Sequence, residues 1–252
     1  MDLAAFFRNY NKIALAFSGG TDSAYLLYAA KASGAQVKAY YVKTPFPPEF
    51  ELTDAKRLAR ELGAVLQVIP LDILQEEAVC SNPKNRCYFC KRRLFSAILE
   101  AARLDGFTTV IDGTNASDDA SDRPGMQALE ETNVLSPLRL CGLTKAEVRR
   151  LSREAGLFTH DKPAYACLAT RIPAGVPITQ ALLARTEWAE DYLKDLGFSN
   201  FRVRLMGDAA KLQIPGGQLP LLLRHRKDIL TKLKEKYTDV LLDLEVRDES
   251  RD

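Results

Sequence analysis

The chain is short of excess charge, histidine and long apolar runs, and each shortage removes a class of function. Its 35 Lys and Arg against 33 Asp and Glu leave a net charge of +2, well below the basic excess of proteins that grip long nucleic acid, which argues against a nucleic-acid partner. Only two histidines occur, His160 and His225, and neither has ligand-like neighbours at metal-site spacing. No uninterrupted apolar stretch reaches bilayer length and nothing resembles a signal peptide, so a cytoplasmic protein without a membrane partner is expected. Internal repeats and low-complexity tracts are also missing. In the cytoplasm the five cysteines read as thiols, metal ligands or nucleophiles rather than as a disulfide framework. What is present is ordinary soluble composition: 252 residues, 46% hydrophobic and 27% charged, enough for one large or two small domains.

Strand and helix patterns alternate from the N-terminus to about Gly156. Strands are predicted at Ile13–Phe17, Val37–Val42, Val65–Ile69 and Thr109–Asp112, with a short piece near Val134–Leu135. Helices are predicted at Ser23–Ala32, Thr53–Leu62, Lys91–Arg103 and Thr144–Ala155. Thr144 with Glu147 forms a capping-box signature, and Gly156 is a natural stop. The alternation predicts an α/β fold with a doubly wound parallel sheet, whose ligands bind at the carboxyl ends of the strands. Pro163, Pro173, Gly175 and Pro177 break the pattern, and the chain divides into 1–160, a loop or linker at 161–178, and a smaller α+β domain at 179–252. That last part reads as a helix Gln180–Leu196 closed by Gly197, strands Phe201–Met206 and Lys211–Ile214, a basic helix Gln218–Tyr237 and a strand Val240–Leu244.

The first predicted strand runs into Ser18-Gly19-Gly20-Thr21-Asp22-Ser23 and then a helix. Glycines let the backbone turn tightly and bring N–H groups close to a ligand, and a helix start adds unpaired donors and a positive dipole end. The turn is therefore an anion cradle. No Gly-Lys-Ser/Thr follows, so it is not the Walker pattern. It resembles the pyrophosphate (PP) loop of the ATP pyrophosphatases. That resemblance implies ATP as cosubstrate and places Asp22 beside the phosphates, helping to hold Mg²⁺. A second loop, Asp112-Gly113-Thr114-Asn115-Ala116-Ser117-Asp118-Asp119, follows another strand and continues through Arg123. Its small polar groups suit a nucleotide or a metal, and Arg123 can meet a phosphate bidentately. Asn and Asp are also common turn formers; beside the Ser18–Ser23 turn the site reading takes precedence.

Cys87-Tyr88-Phe89-Cys90 is a CxxC at a helix start, followed by Lys91-Arg92-Arg93, a setting that favours thiolate. No second CxxC completes a four-cysteine zinc site. Cys167 lies in the irregular stretch, within Ala166-Cys167-Leu168-Ala169-Thr170-Arg171, whereas Cys80 and Cys141 read as packing residues. Arg202 and Arg204, two apart on a strand, face the same way; such a pair is either a solvated face or an anion fork.

Together, in order, the Ser18–Ser23 turn, Asn85-Arg86-Cys87-Tyr88-Phe89-Cys90-Lys91, Gly113-Thr114-Asn115 with Arg123-Pro124-Gly125, Cys167-Leu168-Ala169-Thr170-Arg171-Ile172-Pro173 and Arg202-Val203-Arg204 resemble the LarE-type sulfur transferases. These make the pyridinium thiocarboxylate precursor of the nickel-pincer cofactor of lactate racemase. The resemblance covers nearly the whole chain. It implies a PP-loop domain at 1–160, a C-terminal substrate-binding and oligomerisation domain, a homo-oligomer, and a small nucleotide substrate that ATP adenylates before sulfur displaces AMP. It further implies that Arg202 and Arg204 take the substrate phosphate, that Arg171 steadies an adenylate phosphate, and that Glu190, with Glu187 as a rival in register, assists Mg²⁺ or proton transfer. For the sulfur source it implies two routes. Some members sacrifice the cysteine matching Cys167 and keep dehydroalanine; others hold a 4Fe–4S cluster on three cysteines matching Cys87, Cys90 and Cys167. With all three present here, the cluster route is the expectation. A tRNA thiolase of the same superfamily is the nearest alternative enzyme.

Overall fold

The computed structural model describes residues 2–118, 123–163 and 165–245, and of residues 123–126 the backbone alone. In chain order the first part carries α1 (Leu3–Asn9), β1 (Lys12–Ala16), α2 (Thr21–Ala32), β2 (Gln36–Lys43), α3 (Glu49–Glu61) and β3 (Val65–Pro70). There follow α4 (Glu77–Cys80), α5 (Arg86–Leu104), β4 (Thr109–Ile111), α6 (Arg123–Glu131), α7 (Pro137–Leu140) and α8 (Lys145–Glu154). The remainder holds α9 (Gln180–Asp195), β5 (Arg202–Met206), β6 (Ala209–Gln213), α10 (Leu219–Arg224), α11 (Arg226–Leu233) and β7 (Val240–Leu242). By internal packing the chain forms two compact units: Met1–Thr44 with Glu49–Ile73 and Asn85–Lys162, and Pro45–Pro48 with Leu74–Lys84 and Pro163–Asp252.

In the first unit β1 to β4 form a parallel sheet of order β3-β2-β1-β4. Strand residues alternate between two cores. Ile13 and Leu15 of β1 join Leu26 and Leu27 of α2, Leu58 of α3 and Val148 of α8 on one face. Ala14 joins Tyr40, Val110, Ile98 and Ala102 of α5, and Leu129 of α6 on the other. Helices on both faces make this the doubly wound α/β fold that the alternation predicts. The order places β2 and β3 on one side of β1 and β4 on the other, so the direction in which strands are added to the sheet reverses between β1 and β4. That switch point is where open sheets of this kind leave a crevice at the strand ends. Leu135 adds a single parallel bridge to Ile111, the short piece expected near Val134. The capping box at α8 is present: the Thr144 side chain takes the Glu147 N–H and Glu147 returns to the Thr144 N–H.

Helices α1, α4, α6 and α7 were not foreseen. Helix α1 precedes the first strand, started by the Asp2 side chain accepting from the Ala5 N–H at 2.7 Å, and Phe6 and Phe7 are buried. Its seven residues are too few to show a helical period.

In the second unit β5 and β6 pair antiparallel and β6 and β7 pair parallel. Leu183 and Leu193 of α9, Val203, Leu212, Ile229 and Leu233 are buried here. The basic segment expected as one helix from Gln218 is two, α10 and α11. They meet at His225, whose backbone (φ −96°, ψ 10°) ends one and starts the other. The Pro-rich 163–178 stretch is bound down rather than trailing. Asn82, itself 1% exposed, donates its amide to the carbonyls of Pro173 at 2.8 Å, Val176 at 3.0 Å and Ile172 at 3.3 Å. Leu168 N–H donates to Phe46 O, and Ile178 N–H to Cys80 O.

Candidate active site

The Ser18–Ser23 turn sits at the carboxyl end of β1, at the switch point. Gly19 has φ +75°, and a Cβ there would meet the Ala55 Cβ at 2.9 Å, so both conformation and space require glycine. Helix α2 starts at Thr21 with Gly20 as N-cap and no side-chain cap. The N–H groups of its first turn thus have no acceptor within the helix. The two serines close the turn on itself: their hydroxyls lie 3.1 Å apart, and the Ser18 N–H donates to Ser23 Oγ at 3.3 Å. Thr21 Oγ1 donates to Thr159 O at 2.8 Å, anchoring the turn and taking the Thr21 hydroxyl away from any ligand. Asp22 is the reactive-looking member. Its Oδ2 accepts from Lys145 Nζ at 2.6 Å, while its Oδ1 is buried without a partner. Burial raises the carboxyl above its ordinary pKa although Lys145 opposes the shift.

The second loop follows β4, the strand beside β1. A Cβ on Gly113 would lie 2.9 Å from the Ser23 backbone nitrogen, so the two loops touch backbone to backbone and only glycine allows it. Asp112 is 8% exposed and accepts from Ser136 Oγ at 2.7 Å and from the Thr114 hydroxyl and N–H; burial raises its pKa as well. Asn115 and Asp118 spend their side chains on the loop itself, accepting from the N–H groups of Ser117 and Asn115. The Arg123 side chain lies outside the described residues. Lys145 was missed by sequence reasoning. It opens α8, and nothing in its own neighbourhood marks it, because its partner Asp22 is on a distant loop. The capping box that fixes where α8 begins is the one legible signal, since it sets the position from which Lys145 reaches out.

Helix α5 begins at Arg86, so Cys87 lies in its first turn and Cys90 opens the second, three residues apart and on neighbouring positions of the helix surface. Cys87 is exposed and Cys90 half-buried, neither in a disulfide, and an Arg86 guanidinium N–H donates to the Cys87 sulfur at 3.8 Å. In the second unit, Cys167 is half-buried and outside any disulfide, at the start of the turn Leu168–Arg171. Its carbonyl accepts from the Thr170 N–H at 2.9 Å and the Thr170 hydroxyl at 2.8 Å. Among the described residues, no three His, Cys, Asp or Glu side chains are gathered as a metal-ion site.

No protein-family model matches the chain. Individual proteins do. An uncharacterized protein of Synechocystis is 36% identical over 219 residues, covering 86% of this chain and 82% of the relative. The pyridinium-3,5-bisthiocarboxylic acid mononucleotide synthase of Lactiplantibacillus plantarum is 32% identical over 219 residues, 86% of this chain and 79% of the synthase. The chain belongs to the LarE-type sulfur transferase family. A more distant likeness, 29% over 188 residues, links it to the tRNA-specific 2-thiouridylase MnmA of Pseudothermotoga lettingae, but over only 60% of this chain and 54% of that enzyme.

The remaining residues implied by likeness to the LarE-type enzymes fall together in the second unit. Arg202 is 4% exposed; its guanidinium lies 5.4 Å from the centre of the Tyr165 ring and donates to Phe201 O at 2.7 Å. Arg204 is exposed and donates to Gln213 and to Thr170 O. Glu190 is 4% exposed and Arg171 1% exposed. They form a two-pronged pair, Arg171 Nε to Glu190 Oε1 at 2.8 Å and Nη2 to Oε2 at 3.0 Å. Glu187, the rival in register, is only half-buried. Glu190 is joined to the Cys167 loop through Arg171.

Proposed function

We propose that the chain adenylates a carboxylate of a pyridinium dicarboxylate mononucleotide with ATP and exchanges an oxygen for sulfur, giving a thiocarboxylate for nickel-pincer cofactor synthesis. The observation that carries the reading is the uncapped start of α2 behind Gly19 and Gly20, in a chain related to a synthase of that class. The triphosphate lies against the first N–H groups of α2. Lys145 neutralises the departing pyrophosphate and Arg123 contributes from the second loop, whose Gly113, Thr114, Asn115 and Asp118 line the nucleotide. The substrate carboxylate oxygen attacks the α-phosphorus, the bond to the pyrophosphate oxygen breaks, and an acyl-adenylate remains. A sulfur nucleophile then attacks the acyl carbon and AMP leaves. Arg202 and Arg204 hold the substrate phosphate.

The Asp22 oxygen that is buried without a partner fits a Mg²⁺ ion, because a cation would satisfy a carboxylate that burial disfavours. That ion supplies charge neutralisation between the phosphates. For the sulfur source, Cys87, Cys90 and Cys167 offer a soft thiolate set that suits a 4Fe–4S cluster, and a cluster on three thiolates supplies one iron without a protein ligand for external sulfide. The Cys167 carbonyl, held by the Thr170 N–H and hydroxyl, supports a second reading. In it the Cys167 sulfur attacks the acyl carbon, a base removes its Cα proton, and the Cβ–S bond breaks to leave dehydroalanine. A tRNA substrate is the third reading, which the MnmA likeness raises and the net charge of +2 opposes. The proposal includes a cytoplasmic homo-oligomer; no helix among the described residues is long and apolar enough to cross a membrane.

Two variants test the reading. Asp22→Ala should slow pyrophosphate release by about 10²–10³-fold, and an unchanged rate would remove the nucleotide-loop assignment. Cys87→Ala, reconstituted without oxygen, should lose iron and catalytic sulfur transfer; undiminished transfer would leave Cys167 as the donor.

A further inference from the structure

The second unit carries a charged cluster that neither ATP nor substrate explains. Arg171 has a fully buried side chain and Glu190 a nearly buried one, and the hydrogen bonds of both are made inside the protein. Two edges of the Arg171 guanidinium engage Glu190. The remaining Nη1 donates to Ala166 O at 2.8 Å, to Thr170 Oγ1 at 2.9 Å and to Cys167 O at 3.4 Å. On the other side, Glu190 Oε1 also accepts the Val203 N–H at 2.9 Å, and Oε2 accepts the Tyr165 hydroxyl. The Arg171 guanidinium further lies 4.7 Å from the centre of the Tyr165 ring. Burial and the Glu190 charge both hold the Tyr165 phenol protonated, as a donor.

The geometry is that of a joint. One carboxylate on α9 ties three segments: the Tyr165–Arg171 turn, its own helix, and β5 between Arg202 and Arg204. We propose that Arg171 and Glu190 are positioning residues that set the Cys167 loop against the arginine strand, rather than groups that touch phosphate, Mg²⁺ or a transferred proton. An Arg whose side chain is 0% exposed and already donates to a carboxylate, two carbonyls and a hydroxyl is committed inside the protein and does not reach out to an adenylate. A carboxylate that accepts from a guanidinium, a phenol and a backbone amide has no free lone pair facing solvent. Removing one charge strands the other in the interior, so the loop that carries the Cys167 thiol shifts. The inference rests on Cys167 being the thiol that matters for sulfur transfer.

The test reads Cys167 directly. The full chain, freed of iron, is alkylated with iodoacetamide, and each cysteine's rate is followed by peptide mass spectrometry in the native protein and in Glu190→Gln. The glutamine keeps size and shape and removes the charge. Cys167 labelling should change by roughly tenfold while Cys87, in the other unit, changes by less than about twofold. Sulfur transfer should fall at least about tenfold more than pyrophosphate release. Equal Cys167 labelling in the two proteins, or pyrophosphate release falling as far as sulfur transfer, would overturn the joint and return Glu190 to the adenylation chemistry. Tyr165→Phe removes one hydroxyl and keeps both charges, so it serves if Glu190→Gln does not fold. It should shift Cys167 labelling by about threefold, and no shift would count equally against the proposal. Failure of the sulfur-transfer reading is visible separately, as undiminished transfer by Cys167→Ala.

Discussion

The Ser18–Ser23 turn and the Cys167 turn, to which the proposed chemistry is assigned, are built by opposite means. The Ser18–Ser23 turn is made of backbone: glycines forced by a left-handed φ and by a 2.9 Å approach to Ala55, with the start of α2 left uncapped. Its one carboxylate is left half-paired, with an oxygen of Asp22 buried and unmatched. The Cys167 turn is held by side chains: a buried Arg171–Glu190 pair whose carboxylate also accepts from the Tyr165 phenol and the Val203 backbone N–H. The first arrangement leaves donors and an acceptor open for a ligand. The second commits its charged pair to the turn that carries one cysteine. A protein that must bind a changing set of phosphate oxygens benefits from open backbone, whereas one that must present a thiol at a fixed point benefits from closed side-chain networks.

The contrast can be broken at either loop. The largest effect is expected in the closed one. Arg171→Met leaves the Glu190 carboxylate buried without its partner and should cost about 3–5 kcal/mol in urea unfolding; a loss below about 1 kcal/mol would mean that the pair is dispensable. Next comes the backbone contact between the two loops of the first unit. Gly113→Ala places a methyl against the Ser23 nitrogen and should cost about 1–3 kcal/mol with weaker ATP binding by calorimetry; native affinity would show that the loops can part freely.

The smallest effect has the opposite sign. Burial raises the Asp22 pKa above its unfolded value, so the native state holds that proton more tightly than the unfolded chain does. The stability this gives is complete below the unfolded pKa and is lost as pH rises through the native one. At neutral pH the ionised carboxylate is therefore a cost. Asp22→Asn should raise the melting temperature by about 1–3 °C at pH 7, with the gain vanishing on acidification, while pyrophosphate release falls. A variant less stable than the native protein at pH 7 would show that the Lys145 pair outweighs the burial.

The same contrast explains what the sequence made legible. Glycine spacing, a strand before and a helix after are local facts, so the Ser18–Ser23 turn, the doubly wound sheet and the capping box at Thr144 could be read directly. The partners of Asp22 and Glu190 could not. Lys145 meets Asp22 across 123 residues, and Glu190 reaches Arg171 across 19 and the Val203 amide across 13. No periodicity encodes such pairings; they follow from which helix and strand pack together. The Pro-rich 163–178 stretch reads as a linker for the same reason, since the Asn82 side chain that binds it comes from another segment. Only its buried left-handed backbone, φ +57°, marks Asn82 as unusual, and sequence does not show that.

The account stands or falls on sulfur reaching an activated carboxylate. The direct measurement is mass spectrometry of a pyridinium dicarboxylate mononucleotide incubated without oxygen with the reconstituted protein, ATP, Mg²⁺ and sulfide, alongside the intact mass of the chain. The account predicts a product in which one oxygen is replaced by sulfur, formed only with ATP, with AMP and pyrophosphate released and the chain's mass unchanged. A chain lighter by the loss of hydrogen sulfide would move the sulfur source to Cys167 itself. ATP consumption with no thiocarboxylate formed would contradict the central claim.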